Sequence, residues 1–277
     1  MTDDAQATLA NMARAIVLAC SPEQKMALAG ALSGAWRERR LTIGGRVPAL
    51  KMPARPGRPE RPCLLAPREM AKRSASGDRG RIALVHALAH IELNAIDLAF
   101  DLVARFADCD MPRAFFDDWV KVGAEEARHF ALLDARLKAL GSHYGALPAH
   151  DGLWEAAQDT GHSLLARLAV IPLVLEARGL DVTPAMIARS KRAGDTETAT
   201  ALETIYRDEK GHVAIGLRWF RHLCEREKLP PEPTFQKLVR RHFRGKLKPP
   251  FNDAARSAAG LTPGFYRPLA GLTGPTA

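Results

Sequence analysis

The sequence predicts an all-α protein whose centre is a four-helix bundle. Three observations point there. Four long stretches with helical apolar spacing succeed one another along the chain, no segment alternates apolar and polar residues as a strand would, and no Asn-Gly hairpin signal separates such segments. With 277 residues and an apolar fraction of 47%, the chain can bury one bundle-sized core with extensions. A charged fraction of 26% is ordinary for a globular protein and excludes wholesale disorder.

Ala5 to Cys20 is rich in Ala, Leu and Met and reads as a first helix. Ser21-Pro22-Glu23 offers a capping hydroxyl and then proline at the first helical position, so a second helix starts there and runs to about Arg40. Together they make an N-terminal helical extension over 1–40. Six prolines between Leu41 and Pro67, with Gly44, Gly45 and Gly57, turn 41–78 into an extended Pro/Arg-rich connector along the surface. The bundle spans 79–228. Its first long helix covers Arg79 to Phe106, and Pro112 opens the second, which stops at Leu140-Gly141. A loop with His143, Gly145, Pro148 and His150 precedes a short helix, Asp151 to Gln158, with His150-Asp151 at its cap. The third long helix covers Ser163 to Arg178, is disturbed at Gly179, and Thr183-Pro184 starts another piece. The fourth runs from Asp195 to Lys228 and ends before Pro230-Pro231. Residues 229–277 form a basic C-terminal extension. Trp119, Trp154 and Trp219 stand at helical positions expected in the core.

The formal net charge of +9 is uneven. Arg37–Arg68 carries +7 and Lys237–Lys248 carries +6, which leaves the rest at −4. The basic flanks read either as phosphate-seeking surfaces or as solvated arms. An aromatic fraction of 6% and the lack of an RNA-binding signature favour arms. Phe235, Phe243 and Phe251 interleave the second run, where Arg240, Arg241 and Arg244 are the phosphate-binding candidates. Four scattered cysteines, Cys20, Cys63, Cys109 and Cys224, form no CxxC pair, which suits a reduced cytoplasmic chain and argues against a zinc ribbon or iron–sulfur cluster. Met1-Thr2-Asp3-Asp4 is acidic where an export signal would be basic. The longest weakly polar stretch, Leu164–Leu175, is too short for a bilayer, so no membrane partner is expected.

The informative residues are acids among apolar neighbours. Glu92 shares its helix face with Val85, Leu88, Ala89, Ala95, Ile96 and Ala99, and Glu176 with Ala169, Pro172, Leu173 and Leu180. A buried carboxylate must be protonated, paired or metal-bound, because leaving it bare costs several kcal/mol. The second and fourth long helices each carry Glu-x-x-His: Glu126-Ala127-Arg128-His129 and Glu209-Lys210-Gly211-His212. Three residues turn a helix by about 300°, so one helix can give a Glu oxygen and a His nitrogen to one ion. Glu92 precedes Glu126 by 34 residues and Glu176 precedes Glu209 by 33. A lone Glu, then ExxH, given twice, is the ligand set of di-iron and di-manganese carboxylate bundles. Four carboxylates balance two divalent ions, which lets the set sit in a core. Asp159-Thr160-Gly161-His162 is a similar pair without such context.

Other polar residues have plainer readings. His86, His90, Asn94, Asp97 and Asp101 form a separate stripe that suits a polar helix–helix network better than a second metal site. Asp208 and Glu125 are candidates to accept from a ligand histidine or to lie in solvent. Tyr206, one turn before Glu209, is a candidate for the site or the core.

The strings Ala-His-Ile-Glu (89–92), Glu-Glu-Ala-Arg-His-Phe (125–130), Leu-Glu-Ala-Arg-Gly-Leu-Asp-Val-Thr-Pro (175–184) and Arg-Asp-Glu-Lys-Gly-His-Val (207–213) resemble a bacterial ferritin-like family of unknown function. The resemblance runs from about Leu41 through Pro268. That family is distantly similar to tRNA-hydroxylating di-iron monooxygenases. The resemblance implies a ferritin-like bundle with Glu92, Glu126, His129, Glu176, Glu209 and His212 as ligands and Glu126 and Glu209 as bridges. The expected cofactor is two iron ions, with manganese or a mixed pair as alternatives. The expected chemistry is O2 activation and hydroxylation of an organic substrate, phosphate-bearing or a tRNA, with electrons from an external donor. Ferroxidase, peroxidase or catalase chemistry at the same site is the second reading. A metal-stabilised module binding RNA or protein is the third.

Overall fold

A computed structural model describes residues 7–44, 51–66, 69 and 77–270. The acidic start Met1–Asp4, the helix onset at Ala5, and Gly45, Arg46, Pro48, Pro67 and Arg68 of the connector lie outside them. Among the described residues, all regular structure is helical, and other backbone pairing is limited to three isolated bridges. The chain divides into two compact units, Met1–Trp154 and Glu155–Ala277. The boundary falls inside the 79–228 segment.

The first unit opens with α1 (Leu9–Leu18), capped by the Thr8 hydroxyl, which accepts the Asn11 N–H at 3.2 Å. In α2 (Pro22–Arg37), Ser21 caps the Gln24 N–H at 3.2 Å and Pro22 takes the first helical position, as its sequence predicts. Next come α3 (Gly77–Arg105) and α4 (Arg113–Ala139). α4 ends where Gly141 adopts φ +74° and the Ser142 N–H returns to the Leu137 carbonyl at 2.9 Å. α3 packs on α1 and α4, and α2 on α1 and α4. By length and composition α3 is apolar enough to cross a bilayer, which corrects the expectation that Leu164–Leu175 is the longest weakly polar stretch. It is instead buried nearly continuously from Val85 to Ala104, as a core helix is, with its polar residues buried along with its apolar ones.

The connector is not a solvated arm where the structure describes it. Arg55 and Arg58 reach Asp151 at 3.3 and 3.1 Å, Trp154 Nε1 donates to the Ala54 carbonyl at 2.8 Å, and Leu65 N–H donates to the Ala149 carbonyl at 2.8 Å. Asp151 therefore serves the connector. The helix start at Gly152 is served by His150, whose Nδ1 lies 3.3 Å from the Gly152 N–H. This short helix, α5 (Gly152–Asp159), runs across the unit boundary.

The second unit holds α6 (Leu164–Val170), a π-helical segment (Ile171–Glu176), α7 (Ala177–Arg192) and α8 (Thr196–Arg226). Two expectations are corrected here. The distortion lies before Gly179, at Ile171–Glu176, because Pro172 has no N–H for the helical ladder and the Ala177 N–H bonds the Pro172 carbonyl five residues back. Pro184 sits within α7 and starts no new piece. The basic tail is also more ordered than its charge implied: α9 (Pro231–His242) buries Phe235 and Val239, and α10 (Asp253–Ala258) and α11 (Pro263–Tyr266) come after it.

Candidate metal centre

In the first unit, α3 brings Glu92, and α4 brings Glu126 and His129, to one buried point. Their ligand atoms lie within 4.8 Å of one another. His129 Nδ1 is 3.1 Å from Glu126 Oε2 and 3.5 Å from Glu92 Oε2. Glu92 is 4% exposed and the other two are fully buried. Gly123, one turn before Glu126, allows this approach: a β-carbon there would lie 2.7 Å from the ring of Phe100, two turns beyond Glu92 on α3.

The electrostatics match a cation site. Burial raises the Glu92 carboxyl well above the ordinary range, and neighbouring Glu126 raises it further. Burial by itself would lower the His129 imidazole, but the pull of Glu126 and Glu92 overcomes it and lifts the ring to about 11. Without a metal, these groups keep protons among them. A divalent ion supplies the same positive charge and displaces those protons. Glu92 Oε2 receives no hydrogen bond of good geometry, an unmet acceptor in a buried place. Carboxylate oxygens with an imidazole nitrogen suit first-row metals. This buried Glu/His cluster can hold a metal ion.

The second unit repeats the arrangement in part. On α8, His212 Nδ1 lies 3.8 Å from Glu209 Oε1, with His212 fully buried and Glu209 9% exposed. Glu176 ends the π segment and is half-buried, against the expectation of a buried acid, although Ala169, Pro172, Leu173 and Leu180 around it are all buried. The extra residue of a π turn rotates the later residues by about 100° around the axis, so it sets where Glu176 points. Again a glycine permits the contact: a β-carbon on Gly216, one turn past His212, would lie 2.4 Å from Pro172 Cβ.

The polar stripe on α3 has partners along its length. The Gly145 N–H donates to His86 Nε2 at 3.0 Å. His90 Nε2 lies 3.1 Å from both the His150 carbonyl and Asn94 Nδ2, and its Nδ1 lies 2.8 Å from the Tyr144 hydroxyl. Asn94 accepts from Arg58 Nη2 at 2.5 Å, and Asp101 holds Arg105 at 2.7 Å. Lys25 is fully buried and its ammonium donates to Asp97 Oδ1 (2.5 Å) and to the Ile16 and Val17 carbonyls (3.0 and 3.1 Å). Burial lowers the Lys25 amine and raises the Asp97 carboxyl to about 7 despite their mutual attraction.

The remaining predicted residues lie elsewhere or without a metal role on display. Glu125 faces Lys121 at 3.9 Å. The Tyr206 hydroxyl accepts from Asn252 Nδ2 at 3.2 Å, which ties it to the C-terminal segment. Asp208 is half-buried. Arg240, Arg241 and Arg244 are exposed, and Arg244 pairs with Asp159 at 3.0 Å, which assigns the stray Asp159/His162 pair a surface role. Phe235 is fully buried, and Phe251 packs on Tyr266 (4.9 Å between rings), so neither offers a stacking platform for bases.

Sequence reasoning passed over the clasp formed by Asp181. This buried acid accepts two bonds from Arg256 at 2.8 Å, another from Arg178 at 3.2 Å, and the Asn252 N–H at 2.9 Å. Lys25 was missed as well, though a signal was present: it shares a helix face with Pro22, Ala29 and Leu32, all buried.

A family model described as "Protein of unknown function (DUF455)" matches residues 18–267. An uncharacterized protein of Haemophilus influenzae is 41% identical over 209 residues, covering 74% of this chain and 73% of the relative. No solved structure matches significantly.

Proposed function

The chain belongs to the DUF455 family, and we propose that it is a ferritin-like non-haem di-iron oxidoreductase that hydroxylates an organic substrate. The observation that carries this reading is the buried Glu92–Glu126–His129 cluster, with the repeat of its pattern in Glu176, Glu209 and His212. In this reading the six side chains together supply the ligands of two metal ions. The four carboxylates then balance two divalent cations, and the six side chains match the inward-facing set of di-metal carboxylate bundles.

Bound iron would supply reduction of O2 and delivery of one oxygen atom to the substrate, with electrons from an external donor. The residues do the rest. Glu92 and His129 would give up their protons to a bound cation, and His129 would then present Nδ1 as a neutral ligand beside Glu126. Buried Val85, Ala89, Ile96 and Phe100 keep water from the Glu92 side. Basic Lys237, Arg240 and Arg241 on exposed α9 are compatible with a phosphate-bearing substrate. A tRNA substrate has only that charge in its favour, because the nearby Phe235 is in the core.

Anaerobic loading with Fe(II) followed by O2 tests the reading. It predicts an oxidised di-iron absorption in the wild type that Glu126→Ala abolishes, and oxygen incorporation into added organic substrate. Iron that oxidises and accumulates as mineral would support ferroxidase chemistry instead. Absence of any iron-dependent absorption would refute both.

A further inference from the structure

A cleft of about 430 Å³ opens between the end of α2 and the outer face of α4. It is separate from the candidate metal centre: Ala124 lines the cleft, and Glu126, two residues on, points about 200° away around the helix. Val120 and Ala124 give it an apolar floor. Its rim carries Arg37, Arg39, Lys121 and Arg128 against Asp117 and Glu125, a balance of +2.

The acids are already committed. Asp117 accepts the Trp36 Nε1–H at 2.8 Å and faces Arg113 at 3.8 Å, while Glu125 lies 3.9 Å from Lys121. Arg37 and Arg39 are both exposed, and no hydrogen bond or ion pair engages their side chains among the described residues. Arg39 also has an unusual backbone. It sits just past the end of α2 at φ +60°, where the Arg40 N–H closes on the Ala35 carbonyl at 3.0 Å. α4, α7 and α10 put glycine at the matching place: Gly141, Gly194 and Gly260. α8 uses Lys228 there, on exposed surface. At α2 the side chain held in this disfavoured conformation lines a cleft, which is where such strain points to a function.

We propose that this cleft binds a small organic phosphate monoester. The dianion matches the +2 balance, and the guanidinium forks of Arg37 and Arg39 suit phosphate oxygens taken two at a time. The body of the ester lies on Val120 and Ala124, and the volume fits a small molecule. The proposal does not depend on the metal reading.

Calorimetric titration of the full chain with phenyl phosphate and with inorganic phosphate tests it. One-to-one binding is expected, tighter for phenyl phosphate because its ring covers the apolar floor. Arg39→Gly restores the residue the backbone prefers, so it should weaken phenyl phosphate binding about tenfold while the unfolding temperature stays level or rises. Arg192→Ala, an exposed basic site in the other unit, should leave binding unchanged. Equal affinity for the two probes would overturn the ester assignment. No saturation by about 10 mM would overturn the site. So would wild-type affinity in Arg39→Gly, or an equal loss in Arg192→Ala, which would mark diffuse charge attraction.

Discussion

The two units solve one problem with different helices. Each places a lone Glu on one helix and Glu-x-x-His on the next, and each lets the pair approach at a glycine, Gly123 against Phe100 and Gly216 against Pro172. Each also hides an ion pair away from the Glu-x-x-His motif, Lys25–Asp97 in the first and Arg256–Asp181 in the second. They differ in the helix that carries the lone acid. α3 is regular and buries Glu92, whereas the π segment ends in a half-buried Glu176. A regular helix fixes its acid inside the core. A widened turn shifts the phase of its acid, so Glu176 is half-buried as a residue while its Oε2 stays out of solvent.

The largest expected effects come from the hidden ion pairs. Asp181→Ala leaves the Arg256 guanidinium buried without its acid, and Lys25→Ala does the same to Asp97. Each should cost about 3–5 kcal/mol in denaturant unfolding. A loss under about 1 kcal/mol in either would show that its unit tolerates the rearrangement and that the likeness between the units is superficial. Next come the glycines. Gly216→Ala meets the rigid Pro172 ring and should cost about 3 kcal/mol, and Gly123→Ala somewhat less, because the Phe100 ring can tilt. Both should lower metal uptake as well as stability.

A smaller effect is set by pH. Glu92 and His129 are both raised, the latter to about 11. A raised group gives stability that is complete below its unfolded value and fades as pH climbs toward the folded one. Metal-free protein should therefore lose about 1–3 kcal/mol as pH rises from 5 to 9. Glu92→Gln should flatten that slope, and saturating metal should remove it. A slope of the opposite sign would contradict the description of the first half-site. The smallest effect is Arg244→Ala, whose exposed pair with Asp159 should be worth less than about 0.5 kcal/mol.

Much of this was legible in the amino-acid order. The Ser21-Pro22 start, the Gly141 stop and the 34- and 33-residue spacings of the acids arise from local rules of capping and helical phase. What was not legible depends on partners far along the chain. The proline-rich connector reads as solvated until Asp151, about ninety residues later, accepts Arg58. Asp181 carries no local signal of its role, which comes only when Arg256, 75 residues later, pairs with it. The π segment escaped for another reason: Pro172 announces a disturbed ladder, but a kink, a break and a widened turn share that signal. Phe235 misled in the opposite direction, since an aromatic within a basic run resembles a stacking platform until its helix packs down.

The most direct measurement is iron bound per chain after anaerobic loading, by elemental analysis, for the wild type and for Glu92→Gln and Glu209→Gln. The account predicts about two ions per chain in the wild type and fewer in both variants, because the proposed ligand set draws an acid from each Glu-x-x-His motif and from Glu92. One ion or none in the wild type, or full occupancy in Glu209→Gln, would contradict it.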